Sequence, residues 1–196
     1  MAETVLYYFP IKARAESIKI ALGLAHVPYT FKAVENWAFE KEEGLKNGTL
    51  PFGQVPMLHI DGMDIVQSLA ILRYISRKYL SKDMDEVTNV HLDIMLDGWG
   101  DMLNLYYRYA FHEKEHLPEF MEGKCKEELK KLENLYLRYG KRFMVSDAPT
   151  VADAFAYSVL INVEKGKETI LDDFPALKKW KTDFENVEEV KAYLAV

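Results

Sequence analysis

The sequence predicts a small α/β domain followed by an all-α domain, and three observations carry that expectation. Strand and helix signals alternate through the first ~80 residues, strand signals vanish after residue 86, and long helix-periodic segments separated by Pro118, Pro149 and Pro175 fill the rest. The expected division is an α/β domain over 1–80, a linker over 81–86 and an all-helical domain over 87–196.

The elements follow in order. Thr4 to Phe9 (TVLYYF) is β-branched and aromatic and stops at Pro10, as a buried strand does. From Ala13 to Ala25 the apolar Ile18, Ala21, Leu22 and Ala25 recur at helical spacing, and Val27-Pro28 ends the run. Tyr29 to Val34 reads as a second strand, and so short a strand-helix-strand connection makes the pair parallel with a right-handed crossover. The polar, Gly-containing stretch from Glu35 to Gly48 reads as a long loop. Met57 to Ile60 is a short strand, Asp61-Gly62 a hairpin turn, and Ile65-Val66 the return. Gln67 to Tyr79 carries Leu69, Leu72, Ile75 and Tyr79 at helical spacing. Beyond the linker, helices are expected over 87–113, 119–143, 150–164 and 175–186.

Composition narrows the functional classes. Apolar residues make up 49% and charged ones 29%, with only 10 Gly and 7 Pro, which excludes disordered and low-complexity chains. The net charge of −6, with no Lys/Arg cluster among aromatics, argues against a nucleic-acid partner. One cysteine, Cys125, excludes an intramolecular disulfide framework, a Cys-x-x-Cys redox pair and a multi-thiolate zinc site, so a cytoplasmic setting without metal is expected. Amid Lys124, Lys126 and Glu127, it reads as a surface thiol with a modestly lowered pKa. No stretch approaches ~18 apolar residues, and the N-terminus lacks a signal-peptide pattern, so no membrane association is expected. The 12 Tyr, 10 Phe and 3 Trp exceed the needs of a core and suit an apolar ligand site.

Several segments offer chemistry, each beside a plainer reading. At the first strand's exit, Tyr7, Tyr8 and Arg14 stand near a helix start, where a phenol donor would stabilise an anion; both tyrosines also read as ordinary strand aromatics. In Leu50-Pro51-Phe52-Gly53-Gln54-Val55-Pro56 a proline heads a strand and leaves the preceding backbone free to pair with an extended peptide; a loop is the alternative. Gln67-Ser68 opens a helix and fits a carboxylate ligand or a simple N-cap. Trp37 and Lys41 would bracket a second carboxylate. Asp93, Asp97 and Asp101 share one helical face, a solvated stripe unless one of them meets a ligand's ammonium at a subunit boundary. Thr150-Val151-Ala152-Asp153 is a capping box, a folding device.

With Tyr8-Phe9-Pro10 and Arg14, then Trp37, Lys41, LPFGQVP (50–56), QSLAILRYI (67–75) and TVAD (150–153), the chain resembles the cytosolic glutathione transferases over essentially its whole length. It looks closest to the sigma-like group, which includes prostaglandin D synthase and invertebrate enzymes, with pi-class features in YFP and FGQVP. The resemblance implies a thioredoxin-like N-terminal domain, an all-α C-terminal domain, a homodimer, glutathione as co-substrate and a small apolar electrophile. By the same resemblance Tyr8 is the catalytic hydroxyl, with Arg14 beside it, and Val55 before a cis Pro56 pairs with the cysteinyl backbone. Gln67 and Ser68 take the γ-glutamyl carboxylate, while Trp37 and Lys41 take the glycine carboxylate with Gln54 nearby. Asp101 reaches the ammonium of glutathione on the other subunit, and Phe52 is a possible interface key. Phe9, Ile11, Ala13, Leu103, Arg108, Phe155 and Val159 are the expected electrophile pocket.

The alternatives are a non-catalytic carrier or lens-crystallin-like homologue and, less favoured, a glutathione-dependent prostaglandin isomerase. Gly100 and Arg108 stand where the prostaglandin synthase has a metal-linked acid and a pocket tryptophan, which speaks against the isomerase and against magnesium activation.

Overall fold

The computed structural model describes residues 3–195. A four-stranded sheet is built from β1 (Val5–Tyr8), β2 (Thr30–Ala33), β3 (Met57–Ile60) and β4 (Met63–Val66) in the order β2-β1-β3-β4. β1 runs parallel to β2 across α1 (Glu16–Leu24) and antiparallel to β3, which forms a hairpin with β4. Strand side chains alternate between faces. Leu6, Tyr8, Leu58 and Ile60 therefore enter the main core, whereas Val5, Tyr7, Met57 and His59 line a groove on the opposite face.

That opposite face is covered by an element the sequence reading took for a loop. Residues Trp37–Asn47 form α2, capped by the Asn36 side chain, which accepts from the Phe39 amide. Glu40 Oε1 closes the start by accepting the amides of Glu35 and Asn36 at 3.1 and 2.9 Å. The polar run from Glu40 to Glu43 and Gly44 separate its apolar residues, and Phe39 and Leu45 among them are exposed, which hides helical periodicity; only Gly44 is buried, with Leu50 packed where a Cβ would stand. α3 (Ser68–Ile75) continues into a π-helical turn at Ser76–Leu80.

The helical part starts with α4 (Glu86–Tyr107), capped by Asp85 and prolonged by a π-helical turn at Arg108–His112. The single helix expected over 119–143 is two, α5 (Leu117–Glu122) and α6 (Lys124–Tyr139), because Gly123 leaves the helical region at φ −106°, ψ −95°. α7 (Val151–Gly166) is buried nearly throughout and packs on both α1 and α4. α8 (Pro175–Glu185) and α9 (Glu188–Leu194) close the chain. α9 was not anticipated; it packs on α1, where the Tyr193 hydroxyl donates to the buried Glu16 carboxylate.

The capping box is present and reaches further than its sequence pattern says. Fully buried Asp153 accepts from the Thr150 amide and hydroxyl through one oxygen and from the Met144 amide and Trp180 indole through the other, at 2.8–2.9 Å. Cys125 corrects the sequence reading. It lies buried, and burial pushes its thiol up to about 12, while Lys124 and Lys126 point outward to Glu128 and Asp173. Among the described residues no helix is long and apolar enough to cross a membrane.

Candidate active site

A cleft of about 460 Å³ opens between the sheet and α4. Tyr8 forms part of its wall as the last residue of β1, and strand alternation decides that Tyr8, not Tyr7, belongs here. The side chain is 5% exposed. Burial raises the Tyr8 pKa, while the Arg14 backbone amide and guanidinium pull it back less strongly. The phenol thus keeps its proton at neutral pH and serves as a donor, not a base.

Backbone geometry sets the sheet-side wall. Val55 and the cis Pro56 lie just beyond the β1/β3 ladder, whose end pair is Tyr7 and Met57. Gly53 adopts φ +57°, and Lys41 Cε would stand 2.9 Å from any Cβ there, so the turn needs glycine and the Lys41 stem lies across it. Gln67, also on the wall, is a non-glycine residue at φ +71°. Such conformations concentrate at ligand sites. Gln67 is the N-cap residue of α3 and makes no side-chain cap bond; Ser68, read from sequence as a possible cap, is instead the first helical residue. The helix start therefore faces the cleft with its amides available to an anion. Trp37 enters from α2 and packs edge-on against Phe9, ring centroids 5.2 Å apart.

The helical side is less crowded. Arg14 Nη2 donates to Asn104 Oδ1 at 2.7 Å, and its guanidinium carbon lies 5.3 Å from the centroid of the Tyr107 ring. Asn104 and Leu69 line the cleft and were not among the expected site residues. Asn104 had one visible signal, a polar residue interrupting the apolar run Met102 to Tyr106.

Other expected residues are dispersed. Lys41 flanks the cleft through Gly53 without lining it, and Asp101 lies in a separate groove between α4 and α6. Asp93 and Asp97, on the same stripe, both pair with Arg73 at 2.6 Å and are not merely solvated. Of the electrophile candidates, Phe9 lines the cleft and Ala13 is half-buried, whereas Ile11 is 57% exposed and Arg108 turns to Glu113. Leu103, Phe155 and Val159 are sealed in the core and have no surface to offer a ligand, which corrects their assignment. Phe52 is 63% exposed. Among the described residues Arg14 is the one charged side chain on the cleft wall, and no group of three or more His, Cys, Asp or Glu side chains is placed to hold a metal.

Comparison with known proteins fits this geometry. Residues 2–77 match the family described as "Glutathione S-transferase, N-terminal domain", and residues 100–196 match "Glutathione S-transferase, C-terminal domain". The chain is 35% identical to a glutathione S-transferase of Antechinus stuartii over 201 residues, covering 98% of this chain and 88% of that protein. It is 32% identical to glutathione S-transferase A4 of Mus musculus over 197 residues, with the same coverage. In structure it superposes on the pi-class glutathione S-transferase of Onchocerca volvulus with a TM-score of 0.88 at 26% identity, covering 98% of this chain and 92% of that one.

Proposed function

The chain belongs to the glutathione S-transferase family and is a glutathione transferase; on that premise we propose that Tyr8 donates the hydrogen bond that keeps the sulfur of bound glutathione as thiolate. A free thiol has a pKa of about 8.5, so at neutral pH only a few per cent is thiolate. Lowering it by about two units takes about 2.7 kcal/mol of preferential thiolate stabilisation. One charge-assisted hydrogen bond supplies about 1.5–3 kcal/mol. A protonated Tyr8 with the Arg14 charge beside it is therefore sufficient, and this buried phenol on the cleft wall is the observation that carries the reading. The thiolate then attacks an electrophilic carbon, forming the sulfur–carbon bond while the leaving group departs with its electron pair.

The remaining groups meet the rest of glutathione in this reading. The Val55 backbone pairs with the cysteinyl segment, and Gln67, Ser68 and the α3 start take the γ-glutamyl carboxylate. Trp37 and Lys41, with Gln54 nearby, take the glycine carboxylate. The protein acts as a cytosolic homodimer in which Asp101, remote from its own cleft, reaches the γ-glutamyl ammonium in the other subunit. The exposed apolar stripe Val87, Val90 and Ile94 on α4, with Phe52, is the kind of surface such an interface covers. Phe9, Ile11, Ala13 and Arg108 remain the candidates for contact with a small apolar electrophile. The sigma-like grouping rests on the sequence motifs alone, since the subclass names among the relatives are alpha and pi.

Turnover of a chloronitrobenzene substrate tests the role of Tyr8. Tyr8→Phe should lower kcat at least about tenfold, the loss of one charge-assisted hydrogen bond, with the KM for glutathione little changed. Unchanged turnover would remove Tyr8 from the mechanism.

A further inference from the structure

We propose that Asn104 is a positioning residue of the transferase reaction: it aims the Arg14 guanidinium at the bound sulfur, so that the helical domain takes part in activating glutathione. This rests on the reading of Tyr8 and Arg14 given above.

Arg14 stands in the irregular segment between β1 and α1, and its long side chain needs outside contacts to hold one orientation. The two that hold it are both on α4, one turn apart. Asn104 Oδ1 fixes a direction by accepting from Nη2, and the Tyr107 ring offers a face to the guanidinium. Asn104 is exposed and lines the cleft, so it packs no core, and asparagine is a weak helix former. Its contact with Arg14 is what accounts for it.

The chemistry of the grip is more telling than its existence. Two arginines of the N-terminal part reach α4, and they are held differently. Arg73 is held by the carboxylates of Asp93 and Asp97, which cancel its charge and make it a tie between elements. Arg14 is held by a neutral amide and a neutral phenol ring. The Tyr107 hydroxyl is buried without a partner, and burial pushes its pKa up to about 12, so it carries no charge at neutral pH. Neither contact cancels the positive charge of Arg14, and the Glu16 carboxylate, which also acts on Tyr8 and Tyr107, is itself paired with Lys19 and accepts from the Tyr193 hydroxyl. An anion in the cleft feels that charge, and a carboxylate at position 104 would hold the arginine equally well while removing the benefit.

Ultraviolet titration of the glutathione thiolate bound to the full-length protein separates these roles. Arg14→Ala should raise the thiol pKa by about one unit, Asn104→Ala by about half a unit, and Asn104→Asp by at least as much as the alanine variant. The KM for glutathione should stay within about twofold, and thermal melts should match the wild type because residue 104 is exposed. A residue with only a structural role would move the melt and leave the titration alone. If Arg14→Ala raises the thiol pKa while both Asn104 variants titrate like wild type, the positioning role is overturned and the reading of the cleft stands. If Arg14→Ala itself changes nothing, the positioning role and the part given to Arg14 fall together, and the Tyr8→Phe assay still decides the rest.

Discussion

The two walls of the cleft are positioned by different means. On the sheet side, backbone geometry does it: Gly53 and Gln67 adopt positive φ, Val55 precedes a cis proline, and Tyr8 ends a strand paired on both edges. On the helical side, side chains do it: Asn104 and Tyr107 hold Arg14, and α4 is itself held by packing on α7. A ligand frame made of chain geometry tolerates change in its surroundings. An activating charge held by side chains depends on the integrity of a different part of the molecule.

Two aspartates gather donors away from the cleft, one in each part of the chain and at opposite depths. Asp153 is fully buried in the first turn of α7 and takes four donors, and Asp153→Ala would leave the Met144, Thr150 and Trp180 N–H groups without an acceptor. The expected loss is roughly 4 kcal/mol of stability in urea unfolding at neutral pH. A loss under about 1 kcal/mol would mean that water or a rearranged cap replaces it, and the helical part would then depend less on side-chain bonds than the contrast requires. Asp61, in the exposed β3–β4 turn, accepts from the Tyr74 and Tyr79 hydroxyls and pairs with Lys78 Nζ at 2.6 Å, tying the hairpin to the end of α3.

The smaller effect belongs to Asp61 and depends on pH. The hydrogen bond from Lys78, then those from the two tyrosines, lower its pKa from 3.8 to about 2. A carboxylate with a depressed folded pKa stabilises above its unfolded value and loses that contribution as pH falls through the folded one. Urea midpoints of wild type and Asp61→Asn should therefore differ most above about pH 5 and converge as the pH falls toward 2. A constant offset across that range would show that the charge of Asp61 is not what matters.

How much was legible follows the same division. Strand ends, prolines and helix starts leave marks in a sequence, so the Tyr7-Tyr8 strand exit, the segment 50–56 and Gln67-Ser68 stood out. The family resemblance alone chose Tyr8 over Tyr7 and gave Gln54 a role. Tyr8, Gln54, Val55, Pro56, Gln67 and Ser68 all line the cleft. Asp153 was visible as a capping box because its Thr150 partner is three residues away, while its bonds to Met144 and Trp180 join distant segments and left no local trace. α2 was hidden because the polar run from Glu40 to Glu43 and Gly44 interrupt its apolar residues, although Asn36 and Glu40 were the capping pair that could have revealed it. Cys125 was misplaced because flanking lysines were read as its environment, when on a helix adjacent residues point elsewhere. Leu103, Phe155 and Val159 show the same limit: periodicity says that a residue is apolar and inward, not whether its neighbour is a cleft or a core.

The central claim is that the buried Tyr8 phenol meets the sulfur of glutathione. A crystal structure of the protein with glutathione bound tests it most directly. The account predicts the sulfur within hydrogen-bond distance of the Tyr8 hydroxyl, with the γ-glutamyl carboxylate at the start of α3. Glutathione seated in this cleft with its sulfur turned away from Tyr8, or bound instead in the groove beside Tyr7 on the other face of the sheet, would contradict it.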